Sequence, residues 1–405
     1  MRPVTFSLAV YVALLGVSPA VGQDDRPIPI PEGKHFHQLN ALPPLTQKLE
    51  APALAGSTIP TYSYSVVSPV DGKTYSGQII GVNPSARPAH ATVIPTIVVP
   101  VRLTFQYSST TRFIFDPTAG DPGCLGAGRT AFSLTQQSPL INDVRFVFGG
   151  TNVGTTQYID AFQRANFWSA VSASGGGTYH TLLGFAPMPL QSVTVSSANS
   201  GSPNGTVFSF SGQCGTNTSN VNAPGLMGVM NINFFNPVAV SLIAKLGITP
   251  NSFVIFLLYN VVMSNGNPTI TNNCCFVGYH SVTGTQTGTQ TYGVAEFEGR
   301  NQTIFPGVAD VSPLSHEIGE WMNDPQVNNL TPAWLLGSGC QGIYEVGDPL
   351  NQILMPPVKM SNGFTYHLQE LAFFSWFYRL SPSGGVNGWY SDNGSLTSDA
   401  GPVCQ

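Results

Sequence analysis

The stretch TVIPTIVVPVRLTFQY, Thr92 to Tyr107, limits the fold of this chain more than any other segment. It is crowded with Val, Ile and Phe, side chains that pack best on a pleated surface, and it predicts a long strand. Shorter signals of the same kind recur in SGQIIGV (Ser76 to Val82), RFIFDP (Arg112 to Pro117) and VRFVFGG (Val144 to Gly150). The first half of the chain therefore reads as β-rich. One helical pattern interrupts it: Tyr158, Ala161, Phe162, Ala165 and Trp168 repeat at helical spacing, giving one apolar face to lay on a sheet. A second helix is expected after Asn236 as its cap, with Pro237 in its first turn and Gly247 closing it. SFVIFLLYNVVM (Ser252 to Met263) then reads as one buried strand, and CCFVGYHSV and TYGVAEFE as two more. The fold class this implies is α+β, a β-rich N-terminal part merging into a sheet with a backing helix and a second, acidic helix.

Composition narrows the setting. The 405 residues are 42% hydrophobic, which suits a folded chain, but only 9% are charged, so surface polarity must come from hydroxyls and amides. A net charge of −5 without a Lys/Arg cluster excludes nucleic acid as an expected partner. Residues 1–22 read as a secretory signal: Arg2 is the positive end, Val4 to Val17 the apolar core, and Ala20-Val21-Gly22 the small-residue site. Residues 23–60 are Pro-rich and read as a leader or arm, and residues 61–405 as a single domain. No later stretch reaches the roughly 18 apolar residues of a spanning helix, so the mature protein is expected outside the cytoplasm without a membrane span. In that compartment Cys124, Cys214, Cys274, Cys275, Cys340 and Cys404 are disulfide candidates. Cys274 and Cys275, being adjacent, are expected to bond to two different partners.

The chemistry concentrates in SPLSHEIGEWMNDP, Ser312 to Pro325. Ser312 and Pro313 form a helix start, and Pro325 forces the stop. On such a helix His316 and Glu320, at i and i+4, project from one face and can hold one cation, while Glu317 lies about 100° around the axis. In His-Glu-x-x-His enzymes the histidines bind zinc and the glutamate is the general base, here Glu317; a glutamate in place of the second histidine keeps a ligand and adds negative charge. No Lys or Arg occurs between Arg300 and Lys359, yet that interval holds Asp310, Glu317, Glu320, Asp324, Glu345 and Asp348. Carboxylates buried together without a basic side chain need a cation or raised pKa values. A solvated acidic face would need neither, but Trp321 and Met322 beside the motif point to a partly buried helix. Glu345 is the first candidate for a third ligand, with Asp348 three residues on and His280 on an earlier strand as alternatives. Asp324 and Asp348 can equally serve as caps before Pro325 and Pro349. His35, His37, His90, His180 and His367 show no ligand spacing beyond His35-x-His37 in the leader.

SHEIGEWMNDP, followed by PAW, a cysteine and YEVGDP, resembles blocks of the secreted phosphate-induced, EXORDIUM-type proteins and their bacterial relatives. GYHS (Gly278 to Ser281) and YHLQEL (Tyr366 to Leu371) resemble others from that group, so the likeness covers about the last 130 residues. It implies an exported protein with a zincin-like sheet and helix, and it fits Glu345 as third ligand. Two functions are then expected to compete. One is a metal-dependent hydrolase, a zinc peptidase, with His316, Glu320 and Glu345 on the metal and Glu317 as base. The other is a non-catalytic protein associated with cell-wall glycans, with a structural ion, zinc or calcium. GCLGAGRT (Gly123 to Thr130) has Arg129 where a nucleotide loop needs lysine, and no Gly-x-Ser-x-Gly occurs, so neither rival motif is supported.

Overall fold

The run that dominates the sequence forms strand β1, Ala91–Gln106, and the remaining structure is arranged along its length. In the computed structural model the described residues are Ile28–Pro29 and 59–405, apart from 89, 175–176, 198–202, 210–213, 215–220, 269–273, 286–287, 301, 303 and 338. The signal segment lies outside them, as does most of the leader, including His35 and His37.

After β1 come β2 (Arg112–Phe115), β3 (His180–Pro187), β4 (Gln191–Ser196), β5 (Phe253–Tyr259), β6 (Gly278–Thr285) and β7 (Gly288–Phe297). The first half of β1 lies parallel to β3 on one side, from Ala91↔His180, and to β5 on the other, from Thr96↔Phe253 to Pro100↔Leu257. Its second half pairs with β4 in parallel and β2 in antiparallel fashion. Beyond β5, β7 is parallel to it, and β6 returns antiparallel as the sheet edge with His280 opposite Gly293. The chain is thus α+β, with a mixed central sheet.

Every residue of β5 is buried, as a strand covered on both faces requires. Its alternation divides the core. Phe253, Ile255, Leu257 and Tyr259 join one cluster with helix α1 (Tyr158–Asn166). Val254, Phe256 and Leu258 join the other with helix α2 (Ile232–Lys245). The acidic helix, α3 (Ser312–Asn323), packs on the α1 side, where Trp321 stacks on Phe253 at 3.7 Å between ring centroids and 10° between planes. Near the C-terminal end Phe373, Phe377 and Tyr378 are completely buried in this same core.

Several local expectations need correction. SFVIFLLYNVVM is two strands, broken at Asn260, whose φ of +53° asparagine tolerates better than most residues and whose Oδ1 accepts from the Gly299 amide at 2.8 Å. Val261–Ser264 leaves for a second sheet, ordered Gly205–Ser209, Leu226–Asn231, Val261–Ser264, Cys274–Phe276, with Ile28–Pro29 of the leader on its outer edge. Helix α2 is capped by Asn231, which accepts from the Asn233 amide, and not by Asn236. Pro237 sits inside the helix, where it has no amide hydrogen to donate, and Asn236 Oδ1 is occupied by the Tyr292 hydroxyl at 2.5 Å. The first helical pattern ends at Asn166, and Trp168–Ala173 is a separate turn after Phe167. Helix α3 has Val311 at its cap position, because the Ser312 hydroxyl turns back to accept from the Ala309 amide.

The disulfides are Cys124–Cys214, Cys340–Cys404 and Cys274–Cys275. The expectation that the adjacent pair would seek separate partners is wrong. The other four cysteines pair among themselves, and the two sulfurs meet within a buried apolar cluster with Ile304, Phe305 and Val308.

The entry to α3 is held by Asp310. Its Oδ1 accepts from the amides of Val311 (2.7 Å) and His367 (2.9 Å), and its Oδ2 lies 2.6 Å from His367 Nδ1. The hydrogen bond to Asp310 raises the pKa of His367 despite partial burial, while burial raises that of Asp310 even against this imidazole. Both shifts have the same consequence. A group that binds its proton more tightly when folded stabilises the fold at low pH and loses that contribution as pH rises through its folded pKa. Thermal unfolding followed against pH should therefore show a fall in Tm above about pH 6.5, the ordinary imidazole value, that is shallower in His367→Gln than in the parent. Equal slopes would show that the pair does not contribute.

Candidate metal centre

Three segments bring ionisable groups to one place around α3. The helix supplies His316, Glu317 and Glu320. The strand that borders it, β6, supplies His280, and the turn following the hairpin Leu330–Leu336/Gly339–Ile343 supplies Glu345 and Asp348. Asp324 closes the helix. All twelve residues of α3 are buried, so none of its polar groups faces bulk solvent. Gly319 is explained by this packing: a Cβ there would lie 2.7 Å from Leu371 Cδ1, which outweighs the roughly 1 kcal/mol that glycine costs in a helix.

His316 Nε2 lies 2.9 Å from Glu320 Oε1 and 3.8 Å from Asp348 Oδ1. His280 Nδ1 lies 3.6 Å from Glu320 Oε2 and 3.7 Å from Glu317 Oε2, and its Nε2 lies 3.9 Å from Glu345 Oε2. Two sets of donors have their ligand atoms mutually within 4.8 Å: His316, Glu320 and Asp348, and His280, Glu320 and Glu345. Asp348 therefore completes the pair on the helix, while Glu345, placed first by the sequence, belongs with His280. Asp324 is not in either set. Its Oδ1 accepts from the Asn328 (2.9 Å) and Asn329 (3.0 Å) amides, the turn-capping use of Asp before Pro.

The surrounding hydrogen bonds settle which imidazole nitrogen faces the cluster. Gln369 donates its amide to the Gly347 carbonyl at 2.6 Å, which leaves its Oε1 to accept from His316 Nδ1 at 3.0 Å. Nε2 is then the His316 nitrogen directed at Glu320 and Asp348. Likewise His280 Nε2 donates to the Asp324 carbonyl at 3.1 Å, leaving Nδ1 directed at Glu320 and Glu317. Such outer partners are what orient metal-binding histidines. Two glycines tighten the arrangement. A Cβ on Gly347 would overlap the His316 ring, and one on Gly278 would lie 2.6 Å from Glu317 Oε1. Gln369 was missed by the sequence reading, although it sits inside YHLQEL, because a glutamine 53 positions from its histidine carries no spacing signal.

No Lys or Arg among the described residues ion-pairs with these carboxylates; the Lys and Arg pairs involve Asp71, Asp116 and Glu298. Burial would raise Glu320, but His316 and His280 overcome it and hold the carboxyl at about 2. The others go the opposite way. Burial, aided by the Glu320 charge, lifts Asp348 to about 7 and Glu345 well above the usual range, and burial lifts Asp324 to about 6 and also raises Glu317. Burial disfavours both imidazolium ions, yet the facing carboxylates push His316 and His280 well above the ordinary imidazole value. Glu317 Oε2, Glu345 Oε2 and Asp324 Oδ2 have no hydrogen-bond partner at all. The cluster has more negative charge than its own side chains neutralise.

What exposure remains is concentrated on the donors. His316 is 8% exposed, His280 and Asp348 6%, and Glu317, Glu320 and Glu345 5%, whereas Ser315, Trp321, Met322 and Asn323 are at 0%. His180 and His367 are engaged elsewhere, with Asp160 and Asp310, and are not part of the site.

No protein-family model matches the chain, and no curated protein or solved structure matches it significantly.

The glycine contact gives a direct check on the geometry. Gly347→Ala must displace the His316 ring, and loss of ligand orientation typically lowers metal affinity by about 10- to 100-fold. Competition titration of zinc against a chromophoric chelator should show that drop, and an unchanged affinity would mean that His316 does not bind the ion.

Proposed function

We propose that this chain is an exported metal-dependent hydrolase of the zinc peptidase type, with its ion on His316, Glu320 and Asp348. The observation that carries the reading is the buried pair on one face of α3, completed by Asp348, with His316 Nε2 directed inward by Gln369. Imidazole nitrogen with carboxylate oxygen is a zinc-type donor set; calcium selects six to eight oxygens and does not favour histidine. A divalent cation in such a site polarises a carbonyl and makes water a better nucleophile. Glu317, one residue along from His316, has a carboxyl oxygen without a partner and a pKa raised by burial, both of which suit it to take a proton from attacking water. Export rests on the N-terminal signal pattern, with three disulfides and no helix among the described residues long and apolar enough to cross a membrane as compatible features.

One observation favours a second reading, a structural ion in a non-catalytic protein associated with cell-wall glycans. The donors are only 5–8% exposed, close to the closure of a structural site. The two readings part at Glu317. Under the hydrolase reading, Glu317→Gln retains the metal by elemental analysis and loses about 100-fold or more of its peptide-cleaving rate, the usual contribution of a general base. A chain that cleaves no peptide, but whose Tm falls when a chelator removes the ion, has a structural centre. A chain without metal in wild type and His316→Ala alike is neither.

A further inference from the structure

Glu320 belongs to both donor sets, and its two oxygens face different histidines. Oε1 is 2.9 Å from His316 Nε2, and Oε2 is 3.6 Å from His280 Nδ1. Each imidazole is fixed by a separate outer partner, Gln369 for one and the Asp324 carbonyl for the other, and each leaves its other nitrogen toward the same carboxylate. A second carboxylate completes each set: Asp348 Oδ1 lies 3.8 Å from His316 Nε2, Glu345 Oε2 lies 3.9 Å from His280 Nε2, and in each set one ligand atom of every residue is within 4.8 Å of the others. The same pattern, one imidazole and one terminal carboxylate, is present twice around one shared carboxylate.

We propose that the centre takes two divalent cations of the zinc class, bridged by Glu320, one held by His316 and Asp348 and the other by His280 and Glu345. This rests on reading the cluster as a metal centre and goes beyond it in number and in ligands.

Two further observations separate the second ion from a mere acidic cluster. Glu345 Oε2 and Glu317 Oε2 are buried on the His280 side and have no hydrogen-bond partner. A cation on the His280 side would take up Glu345 and lie beside Glu317. Charge points the same way. Five carboxylates are buried here (Glu317, Glu320, Asp324, Glu345 and Asp348). With all five ionised and both imidazoles neutral, the state in which they can act as ligands, one divalent ion would leave three of those charges uncompensated and two would leave a single one, in a region with no Lys or Arg between Arg300 and Lys359. In this arrangement Glu345 is a ligand of the second ion, which accounts for its separation from the His316 set.

The test uses the full secreted chain, stripped with a chelator and titrated with cobalt(II) chloride, with bound metal counted by elemental analysis. Two ions per chain are expected, and the cobalt protein should show magnetic coupling by electron paramagnetic resonance, as a carboxylate bridge transmits it. Glu345→Gln should halve the bound metal and abolish the coupling, with the remaining ion sensitive to Asp348→Asn. The unmodified chain carries the count if a variant does not fold. One ion at saturation, lost in His316→Ala, overturns the second site and leaves the single-metal reading intact. No ion overturns both. Two uncoupled ions, with the count unmoved by Glu345→Gln, place the second ion elsewhere and also overturn the proposal.

Discussion

Helix α3 is buried over its whole length, and most of the local structure follows from that constraint. A buried polar group without a partner costs more than folding can absorb many times over, so most polar groups on the helix recruit a specific neighbour, Trp321 Nε1 being an exception. Ser315 Oγ accepts from the Gln369 amide at 2.9 Å, and the Asn323 carbonyl accepts from Asn329, whose side chain also bonds Gln78. The Tyr344 hydroxyl donates to Asn323 Oδ1, and Asp310 receives the helix entry. Segments from residue 78 to residue 369 are thereby tied to one twelve-residue element. The neutral groups are largely satisfied by this means. The carboxylates are not, and the unsatisfied oxygens on Glu317 and Glu345 lie where the two histidines converge.

This division has an energetic meaning. Apolar contacts such as Trp321 on Phe253, a stack worth about 0.5–1.5 kcal/mol beyond its buried area, hold the helix in place whatever occupies the cluster. The carboxylates work against the fold unless compensated, as their upward shifts at Asp348, Glu345 and Glu317 show. A cation binding there would supply folding free energy as well as chemistry, because the donor set exists only in the folded chain.

Much of this was legible in the sequence, and the losses have identifiable causes. The strand at Ala91–Gln106 and the limits of α3 follow from β-branched density and from proline, which are local signals. His316 and Glu320 could be paired because helical spacing is fixed. The deficit of basic residues could be read by inspection, and burial gave it force. What failed was everything decided by non-local geometry. Nothing local in SFVIFLLYNVVM marks Asn260 as the point where one sheet yields to another, since that role depends on Gly299 across the core. Asn231 and Asn236 are equally good caps on paper, and the choice was made by tyrosines on β6 and β7. Glu345 and Asp348 stand three apart on a turn, and only its path decides which reaches His316.

The two glycines that press on the helix side chains carry a further consequence. Gly347 backs the His316 ring and Gly278 backs Glu317, so on both flanks the cluster is walled by main chain at contact distance. A wall made of side chains can be trimmed or enlarged one methyl group at a time. A wall made of backbone cannot, and its spacing changes only when a whole strand or turn moves. The radius of any cation held there would therefore be read by the separation of β6 from the turn at Gly347, and adapting the centre to a larger or smaller ion would require a change in the lengths of those connections, leaving the residues inside the centre as they are.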